Sequence, residues 1–306
     1  MSQQNISNAL LELSEAIEQL ALVIAKQHQT DHEHHVKQLA VITNTFKKVS
    51  NEIQKPNITA IDSTSQLIQQ KHKKSFLRNW LKQKNITIES ATDNLRADEK
   101  LFKVANYLSE HYLHLNAFYK QLKRSQSLKS NFNFKTNKQA IKYIQNWCLM
   151  LHQHKIIDAF NNVSDDEMYV DIAEMHDAVF FIYGYWLEIV LRREVAHLLY
   201  KHLENIKSFD FLASTKILKP DLSNTELDLL LMINDKVYWF ECKSGQISEY
   251  FERYKQTRML LQLPSEQAFL VIPHIDLNIP LHAKKVSNMK TLFGTQLEEQ
   301  LQTIFS

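Results

Sequence analysis

Asp228, Glu241 and Lys243 are charged residues set among apolar ones, and that placement carries the chemistry of this chain. The run from Glu226 to Ile233 is near-continuously apolar apart from its carboxylates, as in a strand covered on both faces. Asn234-Asp235 reads as a two-residue hairpin turn into Val237-Tyr-Trp-Phe240, which leads to Glu241-Cys242-Lys243. Side chains alternate along a strand, so Glu241 and Lys243 share one face while Phe240 and Cys242 take the other. The hairpin then brings Asp228 beside Glu241. Buried charges are costly unless paired or bound to metal. Two neighbouring carboxylates repel, and a divalent cation relieves the repulsion. Oxygen ligands favour Mg²⁺ or Mn²⁺ over zinc. Held by Asp228, Glu241 and the backbone carbonyl of Cys242, such an ion would polarise a phosphodiester and acidify a bound water. Lys243 would orient or deprotonate that water. The alternative is a structural Lys–Glu pair at a sheet edge, since a Glu-x-Lys triplet is common.

The elements that must position these residues follow from periodicity. Helices are expected at 138–160 and 171–206, strands at 209–217, 225–233 and 236–243, a helix at 247–262, a strand at 267–272 and a last helix at 284–306. This order makes an α/β domain over 138–306, a mixed sheet flanked by helices. Before it, residues 1–125 read as an all-α, coiled-coil-like region. Ile6, Leu10, Leu13, Ile17, Leu20 and Ile24 form one seam, and Leu39 to Ile53 form another in a different phase. The polar stretch Lys123–Asn137 is read as the linker between the two parts.

The order of elements resembles the PD-(D/E)xK, restriction-endonuclease-like superfamily, with Asp on the second strand of a meander and Glu-x-Lys on the third. The likeness is greatest to the nuclease domains of CRISPR ancillary nucleases that respond to cyclic oligoadenylates. The motifs that carry it are Gly184-Tyr-Trp-Leu-Glu188, Asn224-Thr-Glu-Leu-Asp228 and Glu241-Cys-Lys-Ser-Gly245. They span roughly residues 175–275, and two of the three glycines of the chain fall inside them. The resemblance implies Glu188, Asp228, Glu241 and Lys243 as the catalytic set, with Glu188 supporting the metal or the water. It implies a Mg²⁺- or Mn²⁺-dependent phosphodiesterase, a DNA endonuclease in anti-phage defence; RNA stays open as a substrate. Two departures stand out. Leu227 occupies the position before Asp228 where many members have Pro, and residues 1–125 show no β–α alternation of a sensor domain.

Further candidates are weaker. Glu226 either joins the metal or sits just outside its shell. Arg253, Lys255 and Arg258, on the helix after the active strand, either meet a phosphate backbone or form a solvated face. Gln246 and Tyr254 could line the same groove, Cys242 packs, and Trp186 anchors the Glu188 helix to the sheet. The basic run Lys71, Lys73, Lys74, Arg78, Lys82 and Lys84 is a solvated amphipathic face or a nucleic-acid surface. His28, His32 and His35 share a helical face without the cysteines or carboxylates that would make a metal site.

Composition sets the outer limits. A net charge of +2 gives no global field for nucleic acid, so affinity has to come from a local basic face. Three glycines in 306 residues argue against a glycine-rich phosphate loop. Two distant cysteines make no disulfide framework, and no secretory leader or membrane span is evident, so a cytoplasmic protein is expected. The unpartnered N-terminal seam predicts a homo-oligomer. The rival from another class is a coiled-coil assembly module whose nuclease-like domain binds nucleic acid without cutting.

Overall fold

Apolar residues in the central strands alternate between two helical layers, which makes them strands and fixes their faces. In the computed structural model, which describes residues 67–96, 98–124, 129–133, 138–164, 167–245, 248–274 and 283–305, six strands form one mixed sheet. They are β1 (Thr87–Thr92), β5 (Phe209–Leu218), β6 (Asn224–Ile233), β7 (Lys236–Cys242), β8 (Ala268–Ile272) and β9 (Lys290–Phe293), in that spatial order. The first four are antiparallel neighbours, and β7, β8 and β9 run parallel. Leu229, Leu231, Phe240, Phe269 and Val271 pack into one hydrophobic layer, and Leu230, Met232, Trp239, Leu270 and Ile272 into the other.

The first layer is covered by α2 (Glu99–Glu110), α3 (Tyr112–Arg124), α4 (Lys138–Gln153), α6 (Trp186–Lys201) and α8 (Leu297–Phe305). The second is covered by α1 (Phe76–Gln83) and α7 (Phe251–Leu261) through Leu77, Leu81, Phe251, Tyr254 and Leu261. Asp210, fully buried on β5, fastens α1: it accepts a 2.8 Å hydrogen bond from Leu77 N–H and faces His72 Nε2 at 3.3 Å. The Asn234-Asp235 turn is as expected, with both φ angles positive (51° and 67°), the conformation that matches strand twist.

The strands and helix from 209 to 272 fall where periodicity places them; five other expectations change. Residues 67–306 form one compact unit, so the expected boundary at 123–137 is absent and the division falls at Gln66. The region 1–125 is not all-α: strand β1 adds to the six-stranded sheet, and Tyr112, Leu115, Phe118 and Tyr119 of α3 share its core. The helix expected over 138–160 ends at Gln153, where Lys155 takes φ 57° and Ile156 N–H caps Leu151 O. It gives way to β3 (Ile157–Ser164) and β4 (Glu167–Ile172), which with β2 (Lys129–Asn133) make a second, three-stranded sheet. The helix expected from 171 begins at His176 as α5 (His176–Phe180), followed by a π-turn (Phe181–Tyr185) and α6; the tail contains β9 before its helix.

The coiled-coil seams and the three N-terminal histidines lie outside the described residues. The basic run from Lys71 is largely tied within the fold. Lys71 Nζ donates to Leu203 O and Glu204 O, Arg78 pairs with Asp93 at 2.8 Å, and Lys84 lies over the Trp80 ring. Among the described residues no helix is long and apolar enough to cross a membrane.

Candidate active site

Strict alternation fails where the carboxylates sit on β6 and opposite them on β5. Leu227 and Leu230, three residues apart, belong to the same hydrophobic layer, as do Leu212 and Ile217 on β5. The slip on β5 occurs at Ser214, whose φ is 44°. Register puts Ala213 opposite Leu229 and Thr215 opposite Leu227, so Ser214 faces Asp228 across the ladder. This local twist turns the Asp228 and Glu226 carboxylates toward α6. From there Glu188 approaches, its Oε2 accepting from Ser214 Oγ at 3.4 Å. On β7, Glu241 is one position beyond the Leu229–Phe240 pair, next to Asp228. Asp228 Oδ2 accepts a 2.6 Å hydrogen bond from Cys242 N–H, which fixes its orientation.

Glu188, Asp228 and Glu241 thus come from three elements to one half-buried place. Burial is the main cause that raises all three above the ordinary carboxylate range; the charge of Asp228 adds to it at Glu188 and Glu241, and that of Glu226 at Asp228 and Glu188. Asp228 is pushed up to about 7 against the opposing pull of Cys242 N–H and Lys243. Arg192, buried one turn after Glu188, partly offsets the negative charge while its guanidinium holds Asp98 at 2.8 Å. Glu241 Oε2 is buried and has no hydrogen-bond partner. The Lys243 ammonium lies 3.5 Å over the Tyr250 ring.

An oxygen-ligated divalent cation fits this arrangement, because it would satisfy the orphaned Glu241 oxygen and neutralise the facing carboxylates. Among the described residues no three acidic, histidine or cysteine side chains form a complete cage for an ion. Mg²⁺ does not require one: it commonly takes one or two carboxylates and fills its octahedron with waters and substrate phosphate. Asp228 and Glu241 would be those ligands. The Cys242 side chain packs against the first layer, leaving the backbone as its means of contributing.

The two glycine-containing motifs meet directly. Gly184 has φ 140°, and a Cβ there would stand 2.7 Å from Ser244 Oγ. Ser244 in turn is bonded to Tyr119 OH at 3.0 Å, which accepts from Trp186 Nε1 at 3.0 Å. Trp186, expected to anchor α6 to the sheet, instead makes its hydrogen bond and ring contacts with Tyr119 and Tyr112 of α3. Gly184→Ala is expected to cost about 1–3 kcal/mol from the left-handed backbone alone, with a further loss from the Ser244 collision. Thermal denaturation checks this, and a melting temperature equal to wild type would contradict it.

Helix α7 separates its three cations. Arg253 donates to Thr225 Oγ1 at 2.7 Å, and its charge acts on Glu241, so it belongs to the site. Lys255 is half-buried and lies near Glu252 at 3.5 Å. Arg258 departs from the expected phosphate contact: its Nε donates to Ser287 O and its NH1 to Leu263 O, closing the end of α7 onto the following chain. Arg258→Ala is accordingly expected to lower stability by about 1–3 kcal/mol through lost charged hydrogen bonds, while leaving nucleic-acid affinity within about twofold. Parallel melts and oligonucleotide titrations separate the two. Tyr254 OH is buried without a partner, close enough to Glu241 and Asp228 for their charge to help raise its pKa. Gln246 lies outside the described residues. Tyr119, Lys123, Arg192 and Ser244 were not among the expected site residues. Ser244 was visible within its motif, whereas Tyr119 and Lys123 stand on a helix that gives no sequence cue of facing this sheet.

No protein-family model matches the chain, and no curated protein matches it. Solved structures do. Can2 from Sulfobacillus thermosulfidooxidans, in complex with cyclic tetra-adenylate, superposes with a TM-score of 0.54 at 13% identity, covering 75% of this chain and 60% of that one. Protein VC1899 from Vibrio cholerae gives a TM-score of 0.50 at 16% identity, covering 74% of this chain and 60% of that one. The fold is shared. Each neighbour is matched over about three fifths of its own length, and at these identities the likeness concerns the fold alone.

Proposed function

We propose that this chain is a Mg²⁺- or Mn²⁺-dependent nuclease that hydrolyses phosphodiester bonds, acting on DNA as an endonuclease. The observation that carries the reading is the buried Glu241 Oε2 without a partner, facing Asp228 and Glu188 beside Lys243. A purely structural cluster would be expected to satisfy that oxygen, because an unpaired buried carboxylate destabilises the fold. The fold shared with Can2 and the three sequence motifs support the same reading.

When bound, the metal supplies Lewis acidity toward the phosphate and a more acidic water. Asp228 and Glu241 would hold it, and Cys242 N–H keeps Asp228 aimed. Glu188 raises the local negative charge and positions the water from the α6 side, with Arg192 limiting its repulsion. Lys243 bears on the attacking water and on the charge that develops at phosphorus. Arg253 and Lys255 lie along the approach of the strand. A role in anti-phage defence and self-association through the N-terminal residues belong to the same proposal; cyclic tetra-adenylate is the ligand of Can2.

The test is cleavage of single- and double-stranded DNA and RNA with Mg²⁺ or Mn²⁺, with and without chelator. Metal-dependent products that disappear on chelation support the reading. No cleavage of any of the four substrates with either metal would sink it.

A further inference from the structure

Lys123, the first residue of the expected linker, stands in the candidate site. It is the penultimate residue of α3, and its Nζ reaches the Ser244-Gly245 turn, donating to Ser244 Oγ at 3.2 Å. It lies close to both motif glycines, tightly against Gly245 and at ordinary contact distance from Gly184. A Cβ on Gly245 would stand 3.2 Å from Nζ, and one on Gly184 would stand 3.7 Å from it. The Tyr119 ring lies below at 5.9 Å. Among the described residues no carboxylate comes within ion-pair distance of Lys123, although the ammonium is partly buried.

Burial, and then the charge of Lys243, push Lys123 down to about 8. A partly buried ammonium facing a second ammonium is destabilising unless an anion joins them. A hydroxyl and a tyrosine ring are weak compensation. The strongest complement available to a nuclease is the phosphate of its substrate, which offers several acceptor oxygens to charged donors.

We propose that Lys123 is a second phosphate-holding residue, gripping a phosphodiester of the nucleic-acid strand together with Lys243 across the Ser244-Gly245 turn. This rests on the nuclease reading of the site. It fits the glycine at 245, where a side chain would press on the Lys123 ammonium, whereas Gly184 is set by its own backbone and by Ser244. Lys123 then touches substrate, while Tyr119 and Ser244 aim it.

The experiment compares full-length wild type with Lys123→Gln, which removes the charge but keeps a donor for Ser244, and with Lys123→Arg. Fluorescence anisotropy of a labelled oligonucleotide across a salt series reads affinity and the number of phosphates engaged. Lys123→Gln is expected to weaken binding about tenfold and to make the salt slope shallower by about 0.7–0.9, one phosphate contact. Lys123→Arg should keep the wild-type slope. On wild type itself, bound oligonucleotide should protect Lys123 from amine modification, read by mass spectrometry, which does not depend on any variant folding. A wild type that cleaves, with an unchanged slope in Lys123→Gln and no protection of Lys123, overturns this inference and leaves the nuclease reading standing. The same loss of activity in Lys123→Gln and Ser244→Ala with an unchanged slope overturns it too, because Lys123 would then act only through the turn. A wild type that neither binds nor cleaves nucleic acid removes both.

Discussion

Asp228→Asn is expected to abolish metal-dependent cleavage and, in the absence of metal, to raise the melting temperature. Both effects have one origin. Asp228 is held against Glu241 and Glu188 with only Cys242 N–H and nearby cations to offset its charge. The asparagine keeps an oxygen for Cys242 N–H and loses the charge, so the repulsion falls while the geometry stays. A gain of each kcal/mol would move the midpoint by about 2–4 °C in a chain of this size. Catalysis suffers for the same reason. A metal ligand contributes several kcal/mol of charge stabilisation at the reacting phosphate, and each 1.4 kcal/mol is about tenfold in rate, so a loss of at least about 10³ is expected. Glu241→Gln should behave alike. The combination is diagnostic: a structural carboxylate would destabilise when replaced, and a residual rate within about tenfold of wild type would exclude Asp228 as a metal ligand.

The second large effect is on pH. Asp228 rises from an ordinary 3.8 to about 7 because burial disfavours its charged form. Between those two values the folded chain holds a proton that the unfolded chain has released. Raising pH through that window therefore favours unfolding. The metal-free protein should be most stable below about pH 4 with respect to this group, lose stability progressively to about pH 7, and then level off. Metal binding has the opposite dependence, since an ion must displace the proton. Mn²⁺ affinity should rise up to about tenfold per pH unit below about 7 and flatten above it. Glu188 and Glu241, raised in the same direction, steepen the trend. Calorimetric titration at pH 6 and pH 8, with melts in chelator at each, measures both curves. Equal Mn²⁺ affinity at the two values would contradict the assignment.

Much of the central sheet was legible because its signals are local. The Asn234-Asp235 turn requires two positive φ angles that Asn and Asp tolerate, and it sets the register that brings Asp228 near Glu241. The second sheet was legible in part and missed. Met168, Val170 and Ile172 alternate buried positions in β4, but a short strand pair next to a long amphipathic helix is easily absorbed into its pattern. Arg258 shows a different limit: an arginine in a basic helical row looks the same in sequence whether its partner is phosphate or a carbonyl at its own helix end.

What the sequence by itself determined is the chemical types at the candidate site and the hairpin that aligns two of them. Residue identity and short-range turn geometry are enough for that. Only the tertiary structure decided the rest, because it depends on elements far apart in the chain. The slip at Ser214 and Asp228 turns a carboxylate toward Glu188, and the packing of α3 places Tyr119 and Lys123 against Ser244. No periodicity records which helix will cross a strand end more than a hundred residues away. That choice is made by how the two layers fill the space beside the sheet.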